Sequence, residues 1–320
     1  MREAAHSSGS PGSADADSFT HTGEPAAFGP DAPRTDKRSL LSYAPVFVLL
    51  VIVADSVQFA DTDLWGHVSF GQIMLHTRHL IRYDVFSYSA PGRLWLNHEW
   101  LAEVVMALFY NAMGVVGLKL LKFLAAAAVL TLLALDVAET GAGLGVQFGV
   151  LLAAAFGLQL QIQFRPQLFD YVFLAALLAL LAAARRGRRA PLWLALPMMV
   201  LWANLHGGFF IGIVVLGVYS AVVCLQDWWN GRGYGRGARL LVLTLACALA
   251  MLINPYGIGE WQIVARSLRN PYTMGVGAEF QSFLHVLAAT RGRAMAALPF
   301  ILMLCVMMAV PVSIALAPSA

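Results

Sequence analysis

The sequence predicts an all-α protein: a polytopic transmembrane helical bundle with a helical first extracytoplasmic loop. Three observations carry this. First, 59% of the 320 residues are hydrophobic and only 12% are charged, about half the ~25% charged residues of a soluble domain. Second, the apolar residues collect in runs at 41–60, 100–116, 118–136, 142–160, 168–184, 190–205, 207–226, 237–254 and 296–316. Most of these approach the ~20 residues a helix needs to cross about 30 Å of hydrocarbon. Third, stretches such as 120–135 are rich in Ala and Leu, which favours helix, and lipid requires each segment to pair its own backbone polar groups.

Taken in order, residues 1–38 are Ser, Gly, Pro, Asp and Ala with almost no large apolar side chains. Such a segment cannot bury enough surface to fold, so it reads as a disordered tail, followed by a transmembrane domain over 39–320. The cysteines, Cys224, Cys247 and Cys305, each lie inside an apolar run and read as small buried hydrophobes. The net charge of +3 is small and carries no nucleic-acid signal, so no nucleic-acid partner is expected. No internal repeat is visible.

Basic loops orient the bundle, because Lys and Arg are retained on the cytoplasmic side. Three clusters stand out: Arg34, Lys37 and Arg38; Arg185, Arg186, Arg188 and Arg189; Arg232, Arg236 and Arg239. Two runs separate the second cluster from the third, which agrees. Five separate the first from the second, so one of these fails to cross. The run at 100–116 carries Glu103 and Asn111 and follows a polar loop, which suits an interfacial helix. The alternative is that 118–136 fails, which would place Lys119 and Lys122 inside. Either choice gives about eight spans, a cytoplasmic N-terminus, and the same sidedness for everything downstream.

The polar segments then share the extracytoplasmic face: Asp61–Trp100, Gln161–Gln167, Asn204–Gly208 and Asn254–Glu279. The first outer loop, 61–117, is the richest. Asp61 and Asp63 follow the first span, and His67 lies four residues after Asp63, on the same face of a helix beginning there. One carboxylate can accept a proton from a nucleophilic hydroxyl, and another can hold a divalent cation that neutralises a phosphate leaving group. The alternative is plainer: Asp61 or Thr62 caps the helix. Asp55, just inside the span, adds a third carboxylate, and ionisable groups in hydrocarbon are functional candidates by default. Asn97-His98-Glu99-Trp100 opens the next helix with Glu103 one turn on. Asn97 and Glu99 there serve either chemistry or helix capping and the helix dipole.

Arg165, in QIQFRPQ with Gln167, suits a lipid phosphate because its planar fork matches the oxygens. It could equally pair with Asp170. In Asn204-Leu205-His206-Gly207-Gly208 the glycines permit a tight reversal and close ligand approach, with His206 either catalytic or structural. Asn254-Pro255-Tyr256-Gly257 carries a turn signature. Glu260 and Glu279 follow and could supply a further carboxylate.

These residues carry a resemblance. The order of first span, Asp61-x-Asp63-x-Trp65, amphipathic helix, and Asp84-x-Phe86-Ser87-Tyr88…Gly92-Arg93 resembles the first outer loop of GT-C membrane glycosyltransferases. That superfamily includes oligosaccharyltransferase catalytic subunits and protein O-mannosyltransferases. A bacterial branch of it is similar through D-x-D-x-W-x-H, N-H-E-W, R-P-Q, N-x-H-G-G and N-P-Y-G, which fall here between Asp61 and Gly257; the likeness spans about residues 40–285. It implies a GT-C-like bundle in the bacterial inner membrane. The implied reaction moves a sugar from a polyprenyl-phosphate or diphosphate donor to a glycan, lipid or protein acceptor of the envelope, among membrane lipids. In that reading Asp61, Asp63, His67, His98 and Glu99 are the catalytic set, with Asp61 and Asp63 also holding a divalent cation, Mg or Mn. Arg165, Gln167, Asn204, His206, Asn254, Tyr256 and Glu279 would contact substrate. Two other classes remain open from the sequence: a transporter or flippase of a lipid-linked or polar solute, and an inactive structural subunit of an envelope assembly.

Overall fold

A computed structural model describes residues 37–270, apart from 58, 59, 90, 188, 189, 232 and 234. Glu279, Cys305, the run at 296–316 and all but the last two residues of the N-terminal tail lie outside the described residues. Ten α-helices follow in order: α1 (Lys37–Asp55), α2 (Leu64–Thr77), α3 (Trp100–Met113), α4 (Val115–Ala138), α5 (Leu144–Gln161), α6 (Leu168–Arg185), α7 (Ala195–Leu205), α8 (Phe209–Trp229), α9 (Gly235–Ala250) and α10 (Gly259–Arg269). A 3-10 turn, Leu192–Leu194, leads into α7. Among the described residues there is no strand, and one antiparallel bridge pairs Tyr83 with Leu94. The all-α expectation holds.

Among the described residues, three helices are long and apolar enough to cross a membrane: α4, α6 and α8, with 24, 18 and 21 residues. At 1.5 Å per residue they reach about 36, 27 and 32 Å. Shorter apolar stretches occupy Val46–Asp55, Trp100–Met113, Leu144–Gln159 and Leu192–Leu205. α3, with 14 residues, covers about 21 Å, short of the ~30 Å hydrocarbon layer. Its polar Asn111 is satisfied by Gln72 of α2, whose amide donates to it at 2.6 Å. Rows of apolar side chains face outward, among them Val214, Val218, Val222 and Leu225 on α8, and Leu241, Val242, Leu245 and Leu249 on α9. A water-facing surface rarely carries such contiguous apolar area. With the three span-length helices, these faces mark a multi-pass membrane protein.

Two larger cores hold the bundle. The first joins α1 to α6 through Leu50, Val51, Ala54, Val68, Met106, Leu121, Ala126, Leu130 and Leu158. The second surrounds Trp202, with Leu177, Met199, Phe209, Leu216, Cys247 and Met251. Where α2 meets α3, Gly71 lies against the Glu103 backbone, and a Cβ there would collide with the Glu103 carbonyl oxygen. This glycine sets how near α2 comes to α3, and so the distance between His67 and Glu103. Asp55 is neutralised inside the fold: Lys122 of α4, fully buried, lies 3.4 Å from its Oδ1. The same ammonium donates to the Val57 carbonyl and sits 5.1 Å from the Phe164 ring centre. Asp55, a functional candidate by its depth, thus ties α1 to α4.

Candidate functional site

Four polar segments meet at one end of the bundle. The turn before α2 brings Asp61 and Asp63, and α2 itself brings His67. The residues entering α3 bring Asn97, His98 and Glu99, with Glu103 one turn inside. Arg165 and Asp170 come from the entry to α6, and His206 from the reversal between α7 and α8. The loop from α2 to α3 is folded by Asp84, whose Oδ1 accepts the backbone N–H groups of Phe86 and Ser87 at 3.0 and 2.7 Å. Phe70 packs edge-on against Phe86 and Trp95, fastening that loop to α2.

A buried carboxylate–histidine network occupies the centre. Asp170 receives two hydrogen bonds of 2.6 Å, from Trp202 Nε1 to Oδ1 and from His206 Nδ1 to Oδ2. The other ring nitrogen of His206 lies 3.3 Å from Glu99 Oε1, and His98 Nε2 approaches the same oxygen at 3.8 Å. Glu99 Oε2 is 3.7 Å from His67 Nδ1, which is 3.2 Å from Glu103 Oε1. Asn97 closes the chain by donating to Glu103 Oε2 at 2.6 Å. Glu103 and Asn97 are almost fully buried. Gly208 makes the reversal possible, since a side chain there would overlap the Asp170 carboxylate.

The charges follow from this arrangement. Burial by itself lowers the His206 pKa, but the hydrogen bonds and negative charge of Asp170 and Glu99 carry it up to about 10. Burial by itself raises that of Glu99, yet the His206 hydrogen bond and the nearby imidazoles hold it at about 2. His67 is raised in the same way: burial opposes protonation, and Glu103 and Glu99 overcome it. His98 goes the other way, lowered by burial and by the charge of His206 against the attraction of Glu99. Glu99 is therefore a firmly ionised carboxylate, suited to anchoring cations more than to accepting a proton near neutral pH.

A more open rim adjoins this core. Arg165 lies between the two aspartates, with NH1 3.8 Å from Asp61 Oδ2 and NH2 3.5 Å from Asp63 Oδ2. Asp63 occupies the N-cap position of α2 without a side-chain capping bond, and 60% of its side chain is exposed. Asp61 folds the turn instead, accepting the Asp63 N–H at 3.0 Å. The Asp63 charge adds the smallest contribution favouring the protonated form of His67.

Other expected residues have structural partners. Asn204 donates to the Val200 and Ile253 carbonyls and accepts from Trp100 Nε1, joining three elements. Asn254 bonds within its own turn, to the Met251 and Gly257 carbonyls and the Tyr256 N–H. The Tyr256 ring lies under the Arg82 guanidinium, 5.6 Å from its centre. Gln167 stands at the N-cap position of α6 without a side-chain capping bond. Glu103 and Asp170 are the site residues the motif reading leaves out of its set. Their signal is a carboxylate one helical turn after Glu99 and another in the first turn of an apolar helix.

A cation has two conceivable seats. Between Asp61 and Asp63 the Arg165 guanidinium already supplies positive charge. Among the described residues, the one group of three whose ligand atoms close on each other is His67, Glu99 and Glu103, all within 4.8 Å. No protein-family model, curated protein or solved structure matches the chain.

Proposed function

We propose that the chain is a GT-C-type membrane glycosyltransferase. It moves a sugar from a polyprenyl-phosphate or diphosphate donor to an envelope acceptor, on the extracytoplasmic side of the bacterial inner membrane. The observation that carries the reading is the exposed Asp63 carboxylate, set beside Arg165 on a rigid carboxylate–histidine network at one end of an apolar bundle. Asp63 takes the proton from an acceptor hydroxyl as that oxygen bonds to the anomeric carbon. The anomeric C–O bond to phosphate breaks, and Arg165 receives the charge of the departing lipid phosphate. Asp61 orients the turn that presents Asp63, and the polyprenyl chain lies among the outward apolar faces with the membrane lipids.

The test is transfer of labelled sugar by the protein in nanodiscs, with Asp63→Asn and Arg165→Gln compared for kcat and KM. The reading predicts loss of kcat in Asp63→Asn and a raised KM for donor in Arg165→Gln. Full activity in Asp61→Asn and Asp63→Asn alike rules it out.

One observation favours a second reading. α6, α8 and α9 enclose an apolar groove of about 920 Å³ that ends at Arg185, Arg236 and Arg239. A transporter or flippase of an anionic lipid-linked solute would use such a groove. Movement of the lipid-linked sugar across liposomes without any glycosyl product would support it over the enzyme.

A further inference from the structure

We propose that His67, Glu99 and Glu103 form a binding site for a divalent transition ion of the Zn²⁺ or Mn²⁺ kind, separate from the Asp61–Asp63 pair. The proposal concerns ion binding alone and stands whether or not the chain transfers sugar.

Geometry comes first. Imidazole and carboxylate ligands sit about 2.0–2.2 Å from such an ion, which places neighbouring ligand atoms roughly 3.0–3.4 Å apart in octahedral or tetrahedral arrangements. His67 Nδ1 is 3.2 Å from Glu103 Oε1 and 3.7 Å from Glu99 Oε2, and all three atoms lie within 4.8 Å of one another. An ion there takes the place of the His67 proton and draws the two carboxylates toward one another. Imidazole in the set selects a borderline metal over Mg²⁺, which prefers oxygen and water.

The surroundings aim the ligand atoms. Asn97 holds Glu103 by Oε2, leaving Oε1 directed at His67. His206 and His98 approach Glu99 on Oε1, leaving Oε2 on the side of His67. Asp170 fixes His206 from behind, and such outer carboxylates orient the groups around metal sites.

A further buried carboxyl interacts with Glu99. Glu260, in the first turn of α10, is 1% exposed. Neither of its carboxyl oxygens has a hydrogen-bond partner, and the Glu99 charge acts directly on it. Burial and the Glu99 charge favour the protonated form of Glu260, and an ion held by Glu99 would weaken that repulsion.

The experiment uses the full chain in nanodiscs, stripped with chelator and titrated with Zn²⁺, Mn²⁺ and Mg²⁺ separately. Calorimetry gives affinity and stoichiometry, the Mn²⁺ electron paramagnetic resonance spectrum gives nitrogen coordination, and thermal unfolding confirms folding. One Zn²⁺ or Mn²⁺ per chain is expected, binding at least tenfold tighter than Mg²⁺, with nitrogen coupling that disappears in His67→Gln. Asn97→Ala, which keeps all three ligands, is expected to weaken binding about 10–100-fold, and Asp63→Asn to leave it within about threefold. The proposal is overturned by an absence of stoichiometric binding to the folded parent. Equal affinity in His67→Gln, or binding abolished by Asp63→Asn, overturns it too.

Discussion

Replacing Asp170 with Asn tests whether His206 is an imidazolium clasped between two carboxylates. Asp170 Oδ2 and Glu99 Oε1 stand 2.6 and 3.3 Å from its two ring nitrogens, and they lift its pKa from 6.5 to about 10 against the effect of burial. That difference corresponds to a ceiling of about 5 kcal/mol, at ~1.4 kcal/mol per pH unit. Asp170 makes the shorter contact and is the largest contributor favouring protonation, so its share is about 2–3 kcal/mol, in the range of hydrogen bonds to charged groups. Asn preserves size and the acceptor for Trp202, so the loss is electrostatic. Because the folded pKa lies above the unfolded one, this stabilisation is fully present below pH 6.5 and disappears as pH rises through about 10. Unfolding in nanodiscs, followed by denaturant at pH 6 and pH 10.5, reads the difference directly. Asp170→Asn is expected to lose about 2–3 kcal/mol at pH 6 and much less at pH 10.5. An equal deficit at both values, or one under about 0.5 kcal/mol at pH 6, refutes the imidazolium.

Two further predictions concern the scaffold. Lys122→Met leaves the half-buried Asp55 without its cation and is expected to cost up to about 3 kcal/mol, while Lys122→Met with Asp55→Asn recovers most of that; thermal unfolding of the three proteins checks it. Gly71→Ala drives a methyl group into the Glu103 carbonyl and is expected to cost about 1–3 kcal/mol through overpacking. Gly66→Ala on the same helix, where a Cβ meets nothing within 4 Å, is the control and should unfold close to the parent temperature.

The helices were legible because lipid and chain length leave little choice: an apolar run of 18 to 24 residues such as α4, α6 or α8 can only be a helix. The convergence of polar segments was legible from charge sidedness, and the structure does gather 61–67, 97–103, 165–170 and 204–208 at one end. Pairings over long separations were not. Nothing local to Asp55 announces Lys122, 67 positions on, so its carboxylate reads as functional when its partner is structural. The choice between chemistry and scaffold at Asn204 and Asn254 depends on which carbonyls lie within 3 Å, and no spacing encodes that. For the same reason the aspartate pair draws the eye as a cation seat, although Arg165 comes to lie between its members. The tighter ligand geometry forms at His67, Glu99 and Glu103, from α2 and the start of α3, a juxtaposition set by Gly71 and visible only once the helices pack.

The proposed sugar transfer depends on Asp63. Its most direct measurement supplies the protein in nanodiscs with a panel of radiolabelled polyprenyl-phosphate sugars and envelope extract, with folded Asp63→Asn in parallel. Label is expected in an acceptor for at least one donor with the parent protein, and at least a 100-fold slower rate with Asp63→Asn, in keeping with the 10²–10⁴-fold worth of a positioned base. Label that stays on every donor, or moves equally fast without the Asp63 carboxylate, contradicts it.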